Sequence, residues 1–263
     1  MRALRAELRR ALLSPLFFLG SAIILFGLLY GASVDLAASA VSQTDALSVF
    51  RYSYCFNNSF LFVGVGTAVP FAGSFCEDYR TGILRLQLVR ESRWRYLLAK
   101  VLACAVSGGT AVVLACIAFF CVCLAFRGEA VSLDTGEWTA IVGHEPFVEL
   151  IIEGHFLLYA LLFCAAQFVY GAFLAVFGLV TSMFVLYGYA AYAAPFIGSI
   201  IFVKLVNIGL WPMDLNLMTL AYGSYFGEGL QTLAVIVGVY GSLMALMALA
   251  GFHRLGTVIN RAL

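Results

Sequence analysis

The residues with the most chemical potential lie close together: Glu77, Asp78, Tyr79, Arg80, Thr81 and Gly82, followed by Arg85, Arg90, Glu91, Arg93, Arg95 and Lys100. Carboxylates and guanidinium groups set around a glycine offer ion pairing, with a soluble partner or with anionic lipid, rather than bond-breaking. Lipid alone would gain about 1 kcal/mol per basic residue, but Glu77 and Asp78 add nothing to it, so the pattern favours a protein partner. A short charged segment interrupted by Gly82 and held between two apolar runs is a handle that such a partner could grip and turn.

Other polar groups carry weaker signals. Asn57 and Asn58 open one apolar run, and Gln167 and Tyr170 lie one turn apart in another. An amide at membrane depth faces protein or a cavity, which makes these four candidates for a substrate path, although the same groups commonly hydrogen-bond a neighbouring helix. Asn57-Asn58-Ser59 also fits a glycosylation sequon, but it abuts an apolar run. Glu149, Glu153 and His155 recur at near-helical spacing and read as a solvated acidic helix start or as an attractor of cations. Cys121 and Cys123 suggest a metal pair, yet no His or carboxylate stands near them. No catalytic, cofactor or metal site is expected in the chain.

The elements that hold these residues follow from composition. The 263 residues are 63% hydrophobic and 11% charged, with a mean hydropathy of +1.00, whereas soluble proteins are about 25% charged. The formal net charge is +1, which gives no basic excess for nucleic acid. A helix crossing the hydrocarbon core needs about 20 apolar residues, so the length is filled by one membrane domain, residues 1–263, with no room for a separate soluble one. The expected fold class is an all-α polytopic membrane protein with six transmembrane helices.

At the amino end, Leu4, Leu8, Ala11 and Leu12 share one helix face while Arg2, Arg5 and Arg9 lie opposite, with Arg10 adjoining. That amphipathic pattern predicts an interfacial elbow helix over 1–14 leading into span one, from Leu16 to about Ser33. Span two is expected from Phe56 to Phe75 with a kink at Pro70, and span three from Val101 to Phe126. From Phe156 to Val203 no Asp, Glu, Lys, Arg or His occurs; one helix that long would measure roughly 70 Å, so two spans are required. Gly178, Thr181 and Ser182 are the expected turn residues, with the second of these spans interrupted by Pro195. Residues 207–231, with Leu210-Trp211-Pro212 and Tyr222-Gly223-Ser224-Tyr225, are too apolar for a loop and too broken for a span, which predicts a re-entrant helical pair. Span six is Thr232 to Phe252.

Twelve of the fifteen Lys and Arg residues fall in the amino end, the 76–100 segment and the carboxyl end. By the positive-inside rule both termini are cytoplasmic, in the inner membrane. The chain has no G-x-x-x-x-G-K-[ST] phosphate loop and no series of Asp, Glu or His through its apolar runs. Energy for any transport must therefore come from elsewhere.

The stretch from Phe71 to Lys100 resembles the segment between the second and third spans of ABC-2-type permeases, the membrane subunits of ABC exporters. Glu77, Asp78, Thr81 and Gly82 match the front of that pattern, and Ser92-Arg93 with Leu97-Leu98-Ala99-Lys100 match its approach to span three. The resemblance implies a coupling segment over 76–100, with Glu77, Asp78, Tyr79, Arg80, Thr81, Gly82 and Arg93 facing a separate ATPase that binds ATP and magnesium. It also implies export, with a second permease copy, identical or similar; the apolar, aromatic-rich composition would suit an amphipathic drug, antimicrobial peptide or lipid-like molecule as cargo. A gradient-driven carrier or channel, or a membrane sensor or assembly factor that recruits a cytoplasmic partner, are the alternatives.

Overall fold

The computed structural model describes residues 2–33, 45–55, 59–127, 131, 146–210, 217, 220–221, 226–227 and 229–262. Among them every regular element is a helix. The chain opens with α1 (Arg2–Leu12) and α2 (Pro15–Gly31), which meet at a 52° bend. The bend has a local cause: the Ser14 hydroxyl accepts from the Leu16 N–H at 3.2 Å and Pro15 occupies the first helical position, so a new helix starts there. Arg5 and Arg9 are exposed and Ala11 is buried, as the amphipathic pattern requires.

After α3 (Ala46–Cys55) and α4 (Ser59–Ala68), the chain leaves regular helix over residues 69–73 before α5 (Ser74–Arg80). Pro70 thus accompanies a break rather than the expected kink within one helix. Thr81 ends α5, and Gly82, at φ +75°, turns the chain into α6 (Ile83–Arg90). Such a backbone conformation strains any residue with a Cβ. Then α7 (Arg93–Arg127) runs for 35 residues, roughly 50 Å and well beyond a hydrocarbon layer of about 30 Å. The basic approach from Arg93 to Lys100 is therefore the start of this helix and not a separate connection.

A short α8 (Glu149–Ile152) precedes α9 (Phe156–Val185), the most enclosed of the long helices. The turn after α9 falls at Leu186 and Tyr187, with Leu186 at φ 58°, which corrects the expected turn at Gly178, Thr181 and Ser182. Those three residues suit a helix for physical reasons. The Thr181 hydroxyl donates to the Phe177 carbonyl at 2.9 Å and that of Ser182 to the Leu179 carbonyl at 2.6 Å, so neither needs a turn to be satisfied. Gly178 lets α10 (Gly188–Asn207) approach closely: a Cβ there would lie 2.5 Å from the Ala191 carbonyl oxygen. Pro195 does not interrupt α10 either. It removes the N–H that Ala191 would have bonded in an unbroken ladder, and that freed carbonyl is the one lying against Gly178.

The chain closes with α11 (Gly229–Ala262). Between α10 and α11, Leu217, Leu220 and Ala221 are buried, and the Tyr240 hydroxyl donates to the Leu217 carbonyl at 2.8 Å. Asn57, Asn58, Trp211, Pro212 and Tyr222 to Tyr225 lie outside the described residues, and with them the expected re-entrant pair. Four of the described helices, α7, α9, α10 and α11, are long and apolar enough to cross a membrane, or five counting the bent α1–α2 pair as one. Their outer faces carry Leu102, Leu114, Ile117, Leu157, Leu161, Ile197 and Leu249, all exposed, a surface that water would not tolerate over such an area.

Two buried clusters fill the interior. In one, Phe50 of α3 meets the rings of Phe119, Phe120 and Phe163 at 5.8, 5.6 and 5.2 Å between centroids. The other gathers Ala11, Phe71, Phe75, Leu84, Tyr96, Leu97 and Leu255 at the end of the bundle that carries α1, α5 and α6.

Candidate functional site

At that end, three elements bring ionised groups into the apolar interior. α5 supplies Glu77 and Asp78, α7 supplies Tyr96 and Lys100 one turn apart, and α1 supplies Glu7 and Arg10. The Lys100 Nζ lies 2.7 Å from one Asp78 carboxylate oxygen and 3.1 Å from Glu7. Arg10 donates to the other Asp78 oxygen at 2.8 Å and to Glu77 at 2.6 Å. The Tyr96 hydroxyl donates to Asp78 at 3.1 Å, and the ring of Phe71 lies 4.9 Å from the Lys100 ammonium. Asp78 and Lys100 are both 0% exposed.

Charges taken this far from water are expensive unless each is paired, and here the pairing joins three segments distant in sequence. Burial alone would raise the Asp78 pKa, but Lys100 and Arg10 outweigh it and hold the carboxyl below the usual aspartate range. A depressed native pKa adds stability that is present above the unfolded value, near 3.9, and lost as pH falls through the native one. The melting temperature of the detergent-solubilised protein should therefore exceed that of Asp78→Asn at pH 7, and the gap should close on acidification below about pH 4. A constant gap from pH 7 to pH 3 would contradict this assignment.

This geometry divides the residues expected to face a partner. Asp78, expected to face a partner, points inward and is fully buried against Arg10, Tyr96 and Lys100: neighbours on a helix diverge by about 100°, and Asp78 takes the buried side. Glu77 is exposed but committed to Arg10. Tyr79, Arg80 and Thr81 are exposed, with the Thr81 hydroxyl donating to the Glu77 carbonyl at 2.8 Å. Arg93 is exposed beside α11, where its guanidinium lies 3.9 Å from the Cβ position of Gly256. Of the elbow arginines, Arg5 and Arg9 face outward and Arg10 turns in to the network, while the side chain of Arg2 lies outside the described residues.

Three residues not singled out from the sequence complete the surface. Ile83, Leu86 and Val89 of α6 are exposed, Leu86 by 65% and Val89 by 87%. They recur every three residues, the spacing of a single helix face, with Arg85 and Arg90 also exposed beside them.

The substrate-path candidates lie elsewhere. Gln167 and Tyr170 are fully buried in α9. The Gln167 amide donates to the Ala221 carbonyl at 3.3 Å, and Tyr170 packs on Tyr240 with ring centroids 5.8 Å apart. They tie α9 to α11 and to the segment before it, as amides between membrane helices commonly do. Glu153 and His155 are exposed between α8 and α9. Among the described residues no group of three or more His, Cys, Asp or Glu side chains is placed to hold a metal ion. No protein-family model matches the chain, and neither a curated protein nor a solved structure is detectably similar to it.

Proposed function

We propose that this chain is the membrane-spanning subunit of an ATP-driven exporter, moved by a separate ATPase that docks on the α5–α6 turn. The observation that carries this reading is the pairing of an internal anchor with an external grip. Asp78 fastens α5 to α1 and α7 by buried ion pairs, and directly beyond Gly82 the α6 helix presents Ile83, Leu86 and Val89 to the outside. An amphipathic helix with an exposed apolar stripe suits a groove on a partner, and Arg85 and Arg90, exposed beside that stripe, would steer an acidic rim toward it. A partner that closes on ATP and magnesium would push α6, and the anchor would pass the displacement to the elbow and α7.

In this reading α2 and the segment from α4 to Phe75 join α7, α9, α10 and α11 as six spans, both termini are cytoplasmic, and α1 lies in the inner-membrane interface as the elbow. The positive-inside distribution of Lys and Arg supports that orientation. Two copies, or this chain and a similar one, would enclose a path for an amphipathic substrate at their interface.

Affinity purification in mild detergent tests the proposal: a stoichiometric ATPase should accompany the chain. Leu86→Asp or Val89→Asp should reduce that recovery at least tenfold, since a charge in a desolvated contact costs about 2 kcal/mol or more, while leaving the melting temperature unchanged. A chain that purifies without any ATPase and transports alone in liposomes would reject the reading in favour of a gradient-driven carrier or channel.

A further inference from the structure

The elbow bend, the break between α4 and α5 and the turn between α9 and α10 surround a groove of about 640 Å³. Its size falls within the range of small-ligand sites, roughly 300–1,000 Å³, and its lining combines three chemistries. Leu16, Val69, Pro70 and Leu186 form an apolar wall. Tyr79, Tyr187 and Tyr189 are exposed around it, the residue type that settles at the headgroup level of a bilayer. Arg80 supplies positive charge, while Arg10 also lines the groove but is paired with Glu77 and Asp78.

Of the charged groups that line the groove, one is left without a partner among the described residues. Glu77 lines the groove as well, but Arg10 at 2.6 Å counters its charge. Arg80 makes no ion pair among the described residues and stays available to an anion.

From these features the geometry points to a site for an anionic phospholipid, with the phosphodiester at Arg80 and the upper acyl chain along Leu16, Val69 and Leu186. The site requires that this end of the bundle lie at a membrane surface, and it is independent of any ATPase: failure of the chain to recruit one would leave the groove and its lipid in place.

Native mass spectrometry and melting curves of the full-length chain, titrated with phosphatidylglycerol or phosphatidylcholine, read the site directly. Phosphatidylglycerol should bind saturably and at least about fivefold tighter than phosphatidylcholine, and Arg80→Gln should remove about that factor, the contribution of one basic residue at an anionic surface. Gly188→Phe adds bulk at a residue that lines the groove and where a Cβ meets nothing within 4 Å; it should abolish saturable binding with the melting temperature of the lipid-free protein unchanged. Equal affinity for the two lipids, binding that survives Gly188→Phe, or displacement of the lipid by millimolar inorganic phosphate would each overturn the assignment, the last by showing a site for free phosphate.

Discussion

Asp78→Ala should destabilise the folded protein by roughly 3–5 kcal/mol, the usual cost of stripping one partner from a buried ion pair. The carboxylate answers two cations at once, Lys100 at 2.7 Å and Arg10 at 2.8 Å. Without it Lys100, wholly buried, keeps only Glu7 at 3.1 Å, and Arg10 keeps Glu77 at the surface. The loss should appear as a large drop in melting temperature in detergent, and as proteolysis near Ser14 once α1 no longer seats on α7. Glu77→Ala is the control: its side chain is 64% exposed, so losing that contact should cost no more than about 1 kcal/mol. Because the penalty comes from stranded charge rather than from lost attraction, pairing Asp78→Asn with Lys100→Met should recover much of the stability. If Asp78→Ala melts with the unmodified protein, the network does not hold α1 in place.

The second large effect is steric. Gly108 of α7 and Gly171 of α9 meet where the two helices cross, and a Cβ at Gly108 would lie 2.4 Å from the Cβ of Ala175 and 2.9 Å from the Gly171 carbonyl oxygen. Neither neighbour can rotate away, so Gly108→Val must push the helices apart along the most extensive contact in the bundle. Small residues are what allow such approach between membrane helices, and overfilling a close-packed contact costs about 1–3 kcal/mol or more. The expected result is a protein that inserts but aggregates on solubilisation, with a melting temperature well below the parent's. Gly238→Ala in α11 should do the reverse: a Cβ there meets open space, and alanine is the better helix former by about 1 kcal/mol. Equal behaviour of the two variants would show that the crossing is not tight.

The long helices were legible because a span imposes a length on the sequence: uncharged apolar runs marked α7, α9, α10 and α11 to within about three turns. The connections were not. Glycine and hydroxyl residues near Gly178 look like punctuation, but they serve close packing and in-helix hydrogen bonding, while the turn falls on Leu186, whose type gives no sign of a left-handed backbone. The charged segment was legible as a unit and not in its facing. Whether Glu77 or Asp78 turns inward depends on Arg10 and Lys100, and sequence proximity to either is no guide to three-dimensional register. The apolar stripe of α6 was written in the spacing of Ile83, Leu86 and Val89, in a stretch whose arginines drew attention to charge.

The network also imposes an order on biosynthesis. Glu7 and Arg10 leave the ribosome before their partners, with 67 and 68 residues separating Arg10 from Glu77 and Asp78 and Lys100 following later still. The ion pairs of α1 can therefore form only after the chain has been made past Lys100. Final seating of the first helix is thereby a report that the hairpin behind it has been made.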